Sequence, residues 1–253
     1  MKIAICLSGQ PRTMQYAAKS ILNFFSGEHE YDFFCHTWDY NIWKVKRDNG
    51  VCYATIGEAS PDLSDHLSLF SPKMSLIEGQ DDVPIVNGYT SLLYSIMQAN
   101  HLKKMYETQH NFRYDIVVKG RYDIIFPPDS TFSPEINNWN PHYLDFYTGH
   151  TGRMNYEHDR INASDVLFYG SSHGMDILAD TYRYYSKILV TTRNDNHEIL
   201  GPGVLLDKYG TDCNMRSYPS SLLPGEVVYR KEMIPRDPIL YYETIAKFSR
   251  SFY

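Results

Sequence analysis

Nothing in this chain approaches the roughly 20 consecutive apolar residues that a membrane-crossing helix needs, so no helical membrane span is expected. Cysteine is scarce. Cys6, Cys35, Cys52 and Cys213 have neither the close spacing of a metal site nor the density of a disulfide framework. A reducing, cytoplasmic compartment is the resulting expectation, with Cys6 and Cys35 acting as small hydrophobes inside apolar runs. Cations are not in excess either: 24 Lys and Arg face 30 Asp and Glu, for a net charge of -6. A general nucleic-acid surface needs clustered cations to release counterions, so nucleic acid is not an expected partner and any phosphate chemistry must be local. The chain has no GxxxxGK[ST] loop and no GxGxxG fingerprint, which removes support from ATP hydrolysis and NAD chemistry. There is no internal repeat, no low-complexity segment, and no apolar leader with a cleavage site: Met1-Lys2-Ile3 runs straight into a strand-like segment, so the N-terminus is expected to be structural.

What is present is enough apolar material for one large core. With 253 residues, 43% of them hydrophobic, the chain is read as a single domain whose C-terminal part is embellished. Its 22 tyrosines are explained first by amphipathic packing and second by stacking on a sugar or base. The most informative stretch is Tyr114 to Pro127. There an apolar run, Ile116 to Val118, breaks into Lys119-Gly120-Arg121-Tyr122-Asp123 and resumes as Ile124-Ile125-Phe126. Unpaired charge is costly to bury, so the charged knot should emerge at an edge or cleft where something polar binds. Read as strand, Arg121 and Asp123 are i and i+2 and share one face.

In chain order, Lys2 to Leu7 reads as a buried parallel strand, Ser8-Gly9-Gln10-Pro11-Arg12-Thr13 as a loop, and the spacing of Ala17, Ala18, Ile21, Leu22 and Phe25 as a helix. In such a unit the loop lies at the carboxyl edge of the sheet, where its N–H groups and Arg12 can meet a phosphate or a base. Tyr31 to Trp38 is a second strand, ending in His36 and Asp39 at the same edge. His36 is read as a hydrogen-bonded core or rim histidine in preference to a metal ligand. Tyr40 to Pro72 reads as a long excursion with a short helix over 62–69, and Lys73 to Glu78 as a third strand. Thr90 to Gln109 is the clearest helix, with Leu93, Ile96, Met97, Asn100 and Met105 facing inward. A buried Asn100 must be hydrogen-bonded, either to a neighbouring loop or to a ligand. Further strands are expected over 143–147, 162–171 and 213–218, with helices over 173–189 and from Ile199 through Leu206 and a short one after Pro235. The alternation predicts an α/β fold: an open sheet with helices on its faces.

A strand ending in Ser8-Gly9-Gln10-Pro11-Arg12, a second ending in His36-Thr37-Trp38-Asp39, a long helix feeding a strand with a short acidic motif, and Ser164-Asp165-Val166-Leu167-Phe168-Tyr169-Gly170-Ser171 before a helix together resemble nucleotide-sugar glycosyltransferases of the GT-A fold, and in particular small viral and bacterial polysaccharide-type enzymes. The resemblance spans about Met1 to Tyr209 and is most specific in the first half. It implies a GT-A-like, Rossmann-like, mainly parallel mixed sheet in one domain, 1–253, with a nucleotide-binding half over 1–127 and an acceptor-side half over 128–253. It also implies transfer of a sugar from a UDP- or GDP-linked donor to a glycan or other hydroxyl acceptor. The family's Asp-x-Asp motif falls on Arg121-Tyr122-Asp123, where the second acid is kept and the first is a cation. Asp123 is thereby the candidate ligand of a manganese or magnesium ion, with Arg121 and Lys119 able to neutralise part of the diphosphate. Ser8, Gly9, Gln10, Arg12, His36, Lys119, Arg121 and Asp165 are expected to bind substrate. Asp195 and Glu198, just before a helix, are the candidate bases; carboxylates there also complement the helix dipole. The alternatives are a sugar-phosphate nucleotidyltransferase of the same fold and a non-catalytic nucleotide- or sugar-binding module.

Overall fold

The computed structural model describes residues 1–48, 51–59, 62–79, 82, 88–126, 128–134, 146–148, 167–183, 215–217 and 227–228. In order these form β1 (Lys2–Gly9), α1 (Met14–Phe24), β2 (Glu30–Trp38), β3 (Tyr40–Asp48), β4 (Val51–Ala59), α2 (Leu63–Ser68), β5 (Met74–Glu78), α3 (Gly88–His110) and β6 (Ile116–Gly120). They continue with β7 (Ile124–Ile125), β8 (Phe146–Thr148), β9 (Phe168–Gly170), α4 (Ser172–Ala179), β10 (Met215–Ser217) and β11 (Val227–Val228).

Among the described residues one sheet holds seven strands in the order β10-β8-β9-β6-β1-β2-β5. β6, β1, β2 and β5 are mutually parallel, while β9 runs antiparallel to both of its neighbours, β6 and β8. The expected open, mainly parallel mixed α/β sheet is therefore the one observed.

The side-chain period of two explains why β1 and β6 are apolar almost throughout. Ile3, Ile5 and Leu7 of β1, with Ile116 and Val118 of β6, face a core shared with Ala17, Ile21 and Phe24 of α1 and with Leu63 and Leu67 of α2. Ala4 and Cys6, with Phe34 and Val117, face the opposite core under Ala99 and Leu102 of α3 and Met175 of α4. Cys6 and Cys35 are buried free thiols, as their apolar surroundings predict, and burial pushes Cys35 up to about 12. Each fully buried large side chain of these layers contributes ~1.5–3 kcal/mol, and none of α1 to α4 is long and apolar enough to cross a membrane.

The stretch after β2 differs from its expected reading as an irregular excursion: β3 and β4 pair as an antiparallel hairpin, a separate two-stranded sheet. The sequence between them, Asn49-Gly50, is the dipeptide that favours two-residue hairpin connections. The run through the charged knot differs as well. β6 stops at Gly120, and Ile124–Ile125 form the short β7 that pairs with β11 in another two-stranded sheet. Arg121 and Asp123 thus leave the strand, and the i, i+2 strand geometry does not apply to them.

Asn100 meets neither a loop nor the carboxyl edge. Its Nδ2 donates to Asp176 Oδ1 of α4 at 2.9 Å, within a buried network that also holds Lys103, Glu107 and Ser172. Glu107 Oε1 accepts the backbone N–H of Tyr114, just ahead of β6, which places this network toward the amino end of the sheet.

Candidate functional site

Four parallel neighbours, β6, β1, β2 and β5, bring their carboxyl ends to one edge, the location where open α/β sheets bind ligands. The chain leaves that edge through Gly9 to Arg12, Asp39, Gly79 and Arg121 to Asp123. Gly9 turns the chain out of β1 at φ +119°, a conformation that L side chains rarely adopt, although a Cβ there would meet nothing within 4 Å. The hydroxyl of Thr37 donates to the Gly9 carbonyl at 2.9 Å and ties this turn to β2. Arg12 sits at φ 34°, an unusual backbone for a residue with a side chain. Such outliers gather at binding sites.

Arg12 and Arg121 converge on Asp123. Arg121 donates from Nε to Oδ1 at 2.8 Å and from NH2 to Oδ2 at 2.9 Å, a bidentate fork. Arg12 NH1 donates to Oδ2 at 3.0 Å across 111 residues of sequence, and its Nε donates to Gln10 Oε1 at 3.1 Å. Between the two residues of the fork, Tyr122 turns into the core, and its hydroxyl lies 3.1 Å from the carbonyl of Leu7 and 3.2 Å from that of His36. That anchor holds the turn after β6 against β1 and β2, and the sequence reading gave Tyr122 no such role. The signal was an aromatic flanked by charges, whose bulk had to go inward.

The residues around Asp123 do not fit a divalent cation. Both of its oxygens face guanidinium N–H groups at 3.0 Å or less, so a cation placed there would stand beside two fixed positive charges. No group of three His, Cys, Asp or Glu able to hold a metal occurs among the described residues.

At the β2–β5 end, His36 is fully buried between two partners, Ser95 Oγ at 2.7 Å from Nδ1 and Glu78 Oε2 at 2.8 Å from Nε2. Tyr94 OH donates to Glu78 Oε1 at 3.1 Å and Gln98 Nε2 to Glu78 Oε2 at 3.2 Å. Trp38 stacks on Tyr94, with ring centroids 5.5 Å apart. His36, expected to bind substrate, therefore braces β2 to β5 and α3, and Glu78 is the member of this network that reaches the rim. Ser8, likewise expected in the site, is buried, and its Oγ and Trp38 Nε1 are buried polar atoms without a hydrogen-bond partner among the described residues.

Burial pushes the His36 imidazole below its ordinary range, against a smaller opposing pull from Glu78. The folded protein keeps it neutral to a lower pH than the unfolded chain, whose imidazole takes up a proton near pH ~6.5. Its contribution is therefore complete above that pH and is lost progressively as pH falls from there through the lower folded-state pKa. Urea unfolding from about pH 7.5 to about pH 5.5 should show stability declining by up to ~1.4 kcal/mol per pH unit from this group. His36→Gln should lack that increment; equal slopes in the two proteins would mean the imidazole is not held neutral.

Lys119 lies on the same face of β6 as Val117, buried, with its Nζ 5.4 Å from the centre of the Phe168 ring. Its ammonium thus lies against Phe168, a member of the core layer under α3 and α4. Asp165, Asp195 and Glu198 lie outside the described residues.

No protein-family model matches the sequence, and no curated protein matches it. Among solved structures, the chain is similar to a glycosyltransferase involved in the glycosylation of the major capsid of PBCV-1, at 8% identity and a TM-score of 0.42, over 87% of this chain and 82% of that one. It is also similar to an active-site mutant of LgtC, at 10% identity and a TM-score of 0.48, over 87% of this chain and 73% of that one. A third similarity is to the nucleoside-diphosphate-sugar pyrophosphorylase of Vibrio cholerae RC9, at 10% identity and a TM-score of 0.39, covering 85% and 91% of the two chains. At these values the overlaps carry no argument about activity.

Proposed function

We propose that the protein is a nucleotide-sugar-dependent glycosyltransferase, which moves a sugar from a UDP- or GDP-linked donor to a glycan or other hydroxyl acceptor. The observation that carries this reading is the convergence of Arg12, from the loop after β1, and Arg121, from the turn after β6, at the carboxyl edge of two adjacent parallel strands. Two guanidiniums fixed at such an edge suit a diphosphate, which they bind with charge-assisted hydrogen bonds. Ser8, in β1 just before the Arg12 loop, has a buried Oγ with no hydrogen-bond partner among the described residues, a further polar group at this edge. Similarity to two glycosyltransferase structures agrees with this reading without bearing its weight.

In the reaction the bond between the anomeric carbon and the diphosphate oxygen breaks, and a bond to the acceptor oxygen forms. The departing diphosphate gains charge, so Arg12 and Arg121 act where charge develops. In an inverting transfer the acceptor proton passes to a carboxylate, and Asp195 and Glu198 are the residues we assign to that task, with Asp165 beside the sugar. These three assignments rest on sequence position.

The test is release of UDP or GDP from a panel of nucleotide sugars in the presence of candidate acceptors. Pyrophosphate release from a nucleoside triphosphate and a sugar 1-phosphate would instead identify a nucleotidyltransferase, and nucleotide binding without turnover a binding module. Arg12→Ala should weaken nucleoside diphosphate binding about tenfold, the loss of one charge-assisted hydrogen bond. Asp123 keeps the Arg121 fork in that variant, so the melting temperature should change by no more than about 3 °C. Unchanged affinity measured by calorimetry would remove Arg12 from the site.

A further inference from the structure

We infer that the diphosphate end of this site works through guanidinium charge and without a bound divalent cation, with Asp123 serving as the internal counter-ion of Arg12 and Arg121 rather than as a metal ligand. This inference rests on the proposed placement of a diphosphate at that edge. A metal-binding carboxylate must turn oxygen lone pairs toward the ion. Those of Asp123 are turned toward three guanidinium nitrogens at 2.8, 2.9 and 3.0 Å. Of the other acids at this edge among the described residues, Glu78 is held by His36, Tyr94 and Gln98, and Asp39 and Asp82 lie beside Gly79 at the ends of β2 and β5.

The order of exposure points the same way. The side chains of Arg12 and Arg121 are 25% and 15% exposed, whereas that of Asp123 is 3% exposed, so an arriving anion meets the guanidiniums first and the carboxylate stands behind them. Among the described residues the triad holds two positive charges and one negative. Asp123 fixes the forks in place before ligand arrives, which lowers the ordering cost of binding, and it competes with the ligand for their charge.

The two roles for Asp123 give opposite signs for one substitution. As a counter-ion, Asp123→Asn removes the competing negative charge, and affinity for inorganic pyrophosphate and for UDP or GDP in excess EDTA should rise on the order of threefold to tenfold. As a metal ligand, the same change abolishes binding. Calorimetry on the full chain with pyrophosphate, UDP and GDP, in EDTA and in manganese, reads both arms. The wild type should bind in EDTA within about twofold of its affinity in manganese, with binding that weakens as salt is raised. Binding that requires manganese, loss of binding in Asp123→Asn, or absence of pyrophosphate and nucleotide binding in both buffers would overturn the inference. The wild-type comparison does not depend on how well the variant folds. Sugar transfer separates this inference from the function it rests on. Transfer that needs manganese keeps the glycosyltransferase and removes the arginine site, whereas metal-free diphosphate binding with no turnover of any nucleotide sugar does the reverse.

Discussion

Replacing Lys103 by methionine should destabilise the protein by about 3–5 kcal/mol, the cost of leaving buried charge without its partner. Lys103 is completely buried, and its Nζ lies 2.7 Å from Ser172 Oγ, 2.8 Å from Asp176 Oδ1 and 3.0 Å from Glu107 Oε2. Glu107 and Asp176 are themselves buried, so removing the ammonium group strands two carboxylates between α3 and α4. Lys104 and Arg113 approach only Asp176, at 4.0 and 3.9 Å from the surface, and cannot replace a central cation. Urea unfolding measures the loss. The triple variant Lys103→Met, Glu107→Gln, Asp176→Asn should recover much of it, because neutral amides of the same shape no longer need the ammonium. A loss below about 1 kcal/mol in Lys103→Met would show that the carboxylates find water or protons at little cost.

The same network marks a limit of what α3 discloses in sequence. Of the inward stripe expected at Leu93, Ile96, Met97, Asn100 and Met105, Leu93, Ile96 and Asn100 are buried, Met97 is half-buried and Met105 exposed, and the buried face also takes in Ala99, Leu102, Lys103 and Glu107. The spacing continues correctly through Lys103 and Glu107, but a lysine and a glutamate four apart read as a solvated face unless their partners on α4 are known. The central strands were legible because their apolar runs are nearly continuous, as two-sided burial demands. Lys119 shows how local that reading is. Alternation from Val117 puts it on the α3–α4 face, a placement that its charge alone does not suggest. The Arg121–Asp123 pairing could be anticipated from their nearness in sequence, although a turn and not a shared strand face brings them together. The Arg12–Asp123 bond could not, since it depends on β1 and β6 being neighbours, a fact of sheet order. His36 was read correctly as hydrogen-bonded, yet its partner Ser95 is one of several polar residues on α3 that give no sign of facing inward.

Arg121→Ala should lower the turnover of sugar transfer by about 10²–10³, the range for removing one preorganised donor from a developing negative charge. Arg121 supplies the bidentate arm of the triad, and its geometry is set from behind by Asp123 and from below by the Tyr122 anchor, so little reorganisation is needed as the diphosphate departs. Arg121→Lys should be intermediate: the ammonium keeps the charge but cannot span both oxygens of Asp123, so it is held less firmly against the leaving group. How the loss divides between the kinetic constants decides between two roles. A fall in kcat that equals the fall in kcat/KM locates the interaction in the transition state, whereas a raised KM with unchanged kcat reduces Arg121 to a ground-state anchor for the donor. In Arg121→Ala, Asp123 loses its bidentate partner and keeps the bond from Arg12, so part of the effect can pass through folding. Melting curves recorded beside the kinetics separate that part, because a loss of active fraction lowers kcat for every donor equally and leaves KM untouched. The lysine variant is the cleaner witness: it preserves a cation beside Asp123, and a kcat deficit in a protein that melts like the wild type would come from the lost fork alone.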